Sequence, residues 1–157
     1  MRIGFGHDIH QLAAGKKLII GGVELAFEKG FVAHSDGDVL YHALVDALLG
    51  ALALGDIGGH FPNDDPQWKN KNSKHFVQHA YKLVQQKGYK LANIDAMVFA
   101  EAPKLKEHLV AMRKNIAGLL NLELDQVSVK AGTNEKCDAV GRGEAIEATV
   151  VVLVEKK

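Results

Sequence analysis

Hydrophobic and polar positions change period several times along the chain, and each change marks an element. Residues 2–10 and 17–23 read as strands joined by a turn at Ala14-Gly15-Lys16. From Ser35 the spacing becomes helical, with Val39, Leu40, Ala43, Leu44, Ala47 and Leu48 on one side. Asp36 and Asp38 are expected in its first turn, where carboxylates suit the helix dipole. Residues 55–66 form a Gly/Asp/Pro-rich loop, about as long as a domain carries without a functional reason. A second helix runs from about Ser73 to Lys87 on Phe76, Val77, Ala80, Leu83 and Val84, with Gly88 placed as its C-terminal cap. Residues 91–100 alternate again through Ile94, Ala96, Val98 and Ala100. Pro103 then opens a third predicted helix whose apolar face is Leu105, Leu109, Met112, Ile116 and Leu119. Val127–Ala131 and Glu144–Val154 are two further strands. Alternating strands and helices predict an α/β or α+β fold, a mixed β-sheet packed on helices. No repeat or linker divides the chain, so residues 1–157 read as one compact domain.

Composition narrows the function classes. Lys plus Arg and Asp plus Glu both number 19, with no basic stripe, which argues against a nucleic-acid partner. An anionic ligand must therefore be held by local devices, such as a metal, backbone amides or a single Lys. The one cysteine, Cys137, excludes an intramolecular disulfide framework. The N-terminus enters a strand pattern without an apolar signal segment, and the longest apolar stretch, Ala43 to Leu54, is interrupted by Asp46. That stretch is too short to span a bilayer, so the expectation is a cytoplasmic protein without a membrane partner.

Residues two apart in a strand share a face, so Asp8 and His10 project together as two candidate zinc ligands. A D-x-H pair alone is common, and a third ligand is needed. His42 supplies a candidate in the first helix, with Asp38 four residues before it and Asp46 four after, both on its side of the helix. A ligating histidine usually gives its second nitrogen to such an acceptor. On spacing alone, a hydrogen-bonded helix histidine with solvated aspartates is the simpler account. His34 and Ser35 precede the helix N-terminus, where backbone N–H groups can receive an anion, although Ser35 also suits a plain N-cap. Near the C-terminal end, Lys130 to Lys136 leave a strand into a polar loop. There Thr133 can donate to a phosphate and Glu135 can hold a hard divalent cation. Gly141-Arg142-Gly143-Glu144 adds an Arg between glycines. As lone patterns, both segments are also accounted for by a charged hairpin.

Taken together, six motifs in order resemble the cyclodiphosphate synthase family of non-mevalonate isoprenoid biosynthesis. They are Asp8-x-His10; His34-Ser35-Asp36-Gly37-Asp38 with His42; Gly55-Asp56-Ile57-Gly58 with Phe61-Pro62; Ala102-Pro103-Lys104; Thr133-x-Glu135-Lys136; and Gly141-Arg142-Gly143-Glu144. The resemblance covers essentially the whole chain. It implies a zinc-dependent phosphorus–oxygen lyase that closes a cyclic diphosphate and releases CMP. By the resemblance, Asp8, His10 and His42 hold Zn²⁺, while Glu135 holds the Mg²⁺ or Mn²⁺ that bridges the substrate diphosphate. His34 and Thr133 match the positions that stabilise the transition state, and Ser35 a phosphate contact. Asp56, Ile57 and Gly58 with Phe61, Pro62, Asn63, Asp64 and Asp65 match the methylerythritol side. Ala100, Ala102, Pro103, Lys104, Leu105 and Lys106, with Ala131, Gly132, Asn134, Glu135 and Arg142, match the remaining substrate contacts.

The resemblance also implies a homotrimer with each active site between subunits and an isoprenoid diphosphate in the trimer cavity. Some positions depart from the family pattern. Asn63 replaces an Asp, Gly132 and Asn134 replace threonines, and His7 and Ala139 stand where cavity phenylalanines are frequent. Two other readings fit the residues: a metal-dependent phosphohydrolase with the same ligands, and a binding module with a structural zinc. The second fits poorly, because a closed zinc site usually needs more than one cysteine.

Overall fold

The structure, a computed structural model, describes residues 1–62, 64–69 and 71–157. Strands β1 (Arg2–Ala14), β2 (Leu18–Ile20), β3 (Val23–Leu25) and β4 (Lys29–Phe31) come first. Helices α1 (Val39–Ala51), α2 (Ile57–His60) and α3 (Lys74–Gln86) follow. The chain continues through β5 (Tyr89–Phe99), α4 (Leu109–Leu120), β6 (Val127–Gly132), α5 (Asp138–Gly141) and β7 (Ala145–Lys156). The main sheet has the order β4-β1-β7-β5-β6, with β5 and β6 parallel and the other neighbours antiparallel. It is thus the mixed sheet expected. Because β7 runs against both β1 and β5, the C-terminal ends of β1, β5 and β6 share one end of the sheet. Asp8, Ala148, Val98 and Ala131 stand in one row across it.

The strand predicted over 17–23 is divided. Ile20 pairs with Val23, and Gly21 and Gly22 between them have φ of 57° and 72°. A two-residue hairpin turn of type I′ needs positive φ at both central positions, which two glycines supply without steric cost.

Helix α1 is the central packing element, with Leu40, Leu44, Leu48 and Leu49 buried. Its contact with β1 is backbone-close: a Cβ at Gly4 would fall 1.8 Å from the Ala47 carbonyl oxygen, and one at Gly6 1.9 Å from that of Ala43. Even-numbered β1 residues therefore face the helix, and Asp8 and His10 continue that row beneath His42. Odd-numbered residues face the other way, where Ile3 is 71% and Phe5 62% exposed.

Two helix starts differ from expectation. Helix α1 begins at Val39, not after Ser35, and Asp38 is its N-cap, accepting from Tyr41 N–H at 3.1 Å. The same carboxylate accepts from Gly21 N–H at 2.9 Å and Gly22 N–H at 2.7 Å, a tertiary demand that pulls Asp38 out of the first turn. Pro103 does not open α4. The Ala102–Pro103 peptide is cis, Leu105 is buried in the core, and His108 N–H closes a turn on Leu105 O at 2.9 Å before the helix begins. The 55–66 loop contains the short α2, whose N-cap Asp56 accepts from Gly59 N–H at 2.9 Å.

Candidate active site

The β1–α1 contact brings Asp8, His10 and His42 together. Asp8 Oδ2 lies 3.1 Å from His42 Nδ1 and 3.2 Å from His10 Nε2, and the two imidazole nitrogens are 3.0 Å apart. Three ligand atoms on one face of a tetrahedron around zinc, with bonds of ~2.0–2.1 Å, would stand roughly 3.3 Å apart. The observed triangle fits that geometry. It also fits the donor set, two imidazoles and one carboxylate with the fourth direction open, which a catalytic zinc uses. These three residues form a group able to hold a metal ion. Burial pushes the His10 imidazole below its usual pKa, against the Asp8 carboxylate, which acts to raise it. The neutral ring is the form that ligates.

The group lies in a cleft of about 470 Å³ whose walls include His34, Ser35, Ile57, Gly58 and Phe61. His34 Nε2 sits 3.4 Å from Asp65 O, and Ser35 Oγ accepts from Gly37 N–H at 3.1 Å. Ser35 is therefore not the α1 cap. Phe61 stacks on Phe76 with ring centroids 4.5 Å apart and meets Trp68 edge-on at 5.1 Å. Asp65 caps the 3₁₀ turn Pro66–Trp68 through Gln67 N–H at 3.0 Å, while Pro62 and Asp64 are exposed. Asn63 lies outside the described residues.

Neither aspartate flanking His42 in α1 takes its second nitrogen. Asp38 is committed to the α1 cap and the Gly21-Gly22 turn. Asp46 Oδ1 accepts from Ile57 N–H at 2.7 Å, which fixes α2 and the Ile57-Gly58 wall against α1. Burial pushes the Asp46 carboxyl up, against the Ile57 N–H, which acts to lower it. His42 Nε2 instead lies 2.9 Å from Ser73 Oγ, and the Ser73 hydroxyl donates to Asp36. Ser73 and Asp36 were not legible as site residues. Their positions at two loop ends, 37 residues apart, leave no periodic signal.

A second cleft, of about 260 Å³, opens at the ends of β5 and β6. Ala100, Pro103, Lys104, Leu105 and Lys106 line one side and Ala131, Gly132 and Thr133 the other, with Ala102 exposed in the connecting turn. Beyond it, Thr133 Oγ donates to Glu135 at 2.7 Å, and Asn134 donates to Asp138 at 2.9 Å. Arg142 makes two parallel bonds to Glu144, at 3.1 and 3.0 Å. His7 faces Glu147 at 3.6 Å on the exposed side of the sheet, and Ala139 is half-buried. Among the described residues the two clefts share no lining residue. Their strands β1 and β6 are three strand spacings apart, roughly 14 Å. No helix among the described residues is long and apolar enough to cross a membrane.

Comparison with known proteins agrees with this architecture. The model of the YgbB family matches residues 1–155. A 2-C-methyl-D-erythritol 2,4-cyclodiphosphate synthase from Chloroherpeton thalassium is 56% identical, over 99% of this chain and 99% of the relative. The bifunctional IspDF of Campylobacter jejuni superposes with a TM-score of 0.95 at 42% identity, covering 99% of this chain and 42% of that longer one. Plasmodium falciparum IspF, solved as a CDP complex, superposes at 0.88 with 38% identity, over 99% of this chain and 96% of that one. The chain belongs to the YgbB family of 2-C-methyl-D-erythritol 2,4-cyclodiphosphate synthases.

Proposed function

We propose that this chain converts 4-diphosphocytidyl-2-C-methyl-D-erythritol 2-phosphate to 2-C-methyl-D-erythritol 2,4-cyclodiphosphate and CMP. An oxygen of the 2-phosphate bonds to the β-phosphorus while the bond from that phosphorus to the CMP oxygen breaks, closing an eight-membered ring. Such a transfer asks a protein mainly for positioning and charge neutralisation. The observation that carries the reading is the 3.0–3.2 Å triangle of Asp8, His10 and His42 at the wall of a cleft that also gathers His34 and Ser35.

A zinc ion held by Asp8, His10 and His42 would supply Lewis-acid polarisation of the β-phosphate, and Mg²⁺ or Mn²⁺ on Glu135 would neutralise the diphosphate. His34 and Ser35 donate hydrogen bonds to phosphate oxygens as charge builds on them. Ile57, Gly58 and Phe61 hold the methylerythritol portion and exclude water from it. The cleft from Ala100 to Lys106 and Ala131 to Thr133 takes the cytidine, and the Thr133 hydroxyl turns from Glu135 to a phosphate oxygen of the leaving group.

The separation of the two clefts supports a homotrimer in which the metal side of one subunit meets the cytidine side of its neighbour. The β1–β7 face supports the same assembly, because Ile3, Phe5, Ile9 and Val151 lie exposed on one side of paired strands. Arg142 belongs to the rim of that assembly, where an isoprenoid diphosphate would enter a cavity lined by His7 in place of a phenylalanine. Phosphorus NMR of the protein with substrate and Mg²⁺ tests the reaction. Cyclic diphosphate with equimolar CMP is expected, whereas CMP with a linear product would replace the reading with a phosphohydrolase.

A further inference from the structure

Ser73 stands at the N-cap position of α3, yet it does not cap the helix. A serine there usually accepts from an N–H of the first turn. Here its backbone is already helical, at φ −64° and ψ −14°, and its side chain makes no capping bond among the described residues. Asn72 Oδ1 accepts the Lys74 N–H at 3.0 Å in its place. Ser73 is 0% exposed, and a buried hydroxyl is costly unless its hydrogen bonds are made.

Those bonds run in one direction. The Ser73 hydroxyl donates to Asp36 Oδ1, and the Ser73 backbone N–H donates to Asp36 Oδ2 at 3.1 Å. A carboxylate only accepts, and a hydroxyl has a single hydrogen. Toward His42 Nε2, 2.9 Å away, Ser73 Oγ can therefore only accept, so that nitrogen must carry the hydrogen. His42 Nδ1 is then the bare lone pair, and it is the atom that faces Asp8 and His10. Ser35 Oγ also approaches His42 Nε2, at 3.2 Å, but it lines the cleft whereas Ser73 is enclosed.

We propose that Ser73 and Asp36 are positioning residues of the metal site: the chain Asp36–Ser73–His42 locks the His42 tautomer and ring so that Nδ1 is always presented to the metal, whatever Ser35 binds. Asp36 holds both ends of this device, because its own N–H donates to Lys71 O at 3.1 Å and ties the 34–38 loop to the start of α3. The inference rests on the metal reading of Asp8, His10 and His42. Loss of such an outer partner typically weakens metal binding by about 10–100-fold.

The test compares wild type and Ser73→Ala as full chains, stripped of metal and titrated with Zn²⁺ against a chromogenic chelator. The expected result is a Kd raised about 10–100-fold, with an altered visible spectrum of the Co²⁺ form. Nitrogen NMR of labelled histidine in the metal-free protein should show His42 protonated at Nε2 in wild type and a mixture of tautomers in the variant. A folded Ser73→Ala with wild-type Zn²⁺ affinity and an unchanged His42 tautomer would overturn the proposal. If the alanine variant does not fold, Asp36→Ala carries the same measurement, since it removes both oxygens that accept from Ser73 and frees the hydroxyl proton. Wild-type affinity in that variant would overturn the proposal equally. Wild type that fails to bind Zn²⁺ would instead overturn the metal assignment beneath it.

Discussion

The cleft over β1 and the cleft beyond β5 and β6 lie at the same end of one sheet, yet their polar groups are held in different ways. Asp8 and His10 project from a strand, and His42 from the middle of a buried helix pressed onto that strand at Gly4 and Gly6. The groups of the second region stand on a loop. There Glu135, Lys136 and Asp138 all have left-handed φ, at 50°, 63° and 56°, a conformation that costs non-glycine residues energy. Hydrogen bonds hold them: one from the distant Glu101, which accepts from Lys136 N–H at 3.0 Å, and two local ones, from the Val140 and Gly141 N–H groups to Asp138. The metal side is thus assembled before any ligand arrives. The second region offers an exposed carboxylate and a half-buried hydroxyl bonded to each other, which must part before either can engage a ligand.

The comparison is broken most sharply by removing a ligand. His42→Ala or Asp8→Ala should lower turnover by at least about 10³-fold and abolish stoichiometric Zn²⁺, since the metal's share of transition-state stabilisation is several kcal/mol. Wild-type-like CMP release by either folded variant would sink the metal assignment. A smaller effect is expected on the loop. Glu135→Gln should cut kcat on the order of 10²-fold while Zn²⁺ content stays at the wild-type level. Equal loss of Zn²⁺ would show that the two regions are not independent.

The smallest effect concerns the buttress of α1. Burial pushes the Asp38 carboxyl up to about 6, while the N–H groups of Gly22, Gly21 and Tyr41 act to lower it. A raised pKa means that the folded chain holds this proton more tightly than the unfolded chain. The contribution to stability is therefore present below about pH 4 and is lost as pH rises to about 6. Denaturation of wild type against Asp38→Asn should show their stability difference shrinking across that window and flat above it. A difference independent of pH would mean that the Asp38 carboxyl binds its proton equally well in the folded and unfolded chain.

Much of this was legible in the chain itself. Period-two alternation placed Asp8 and His10 on one face, and helical spacing placed His42 among the buried leucines of α1. What pattern could not supply were contacts chosen by tertiary structure. Asp38 reads as a first-turn carboxylate until Gly21 and Gly22 claim it. Asp46 reads as a partner for His42 until the Ile57 N–H does the same. Pro103 reads as a helix start, but the burial of Leu105 puts a turn between it and α4. Ser73 reads only as the start of the second helix. Each miss is a side chain whose local role was outbid by a partner distant in sequence.

The alternation of β1 has one further consequence. A single strand carries the chemistry on its even-numbered side and an uncovered apolar row, Ile3, Phe5 and Ile9, on its odd-numbered side. A one-residue slip of its pairing with β7 would invert both at once, turning the ligands outward and the greasy row against α1. The pairing of this strand is thus under a parity constraint: a slip of two residues keeps each row on its own side, and a slip of one cannot.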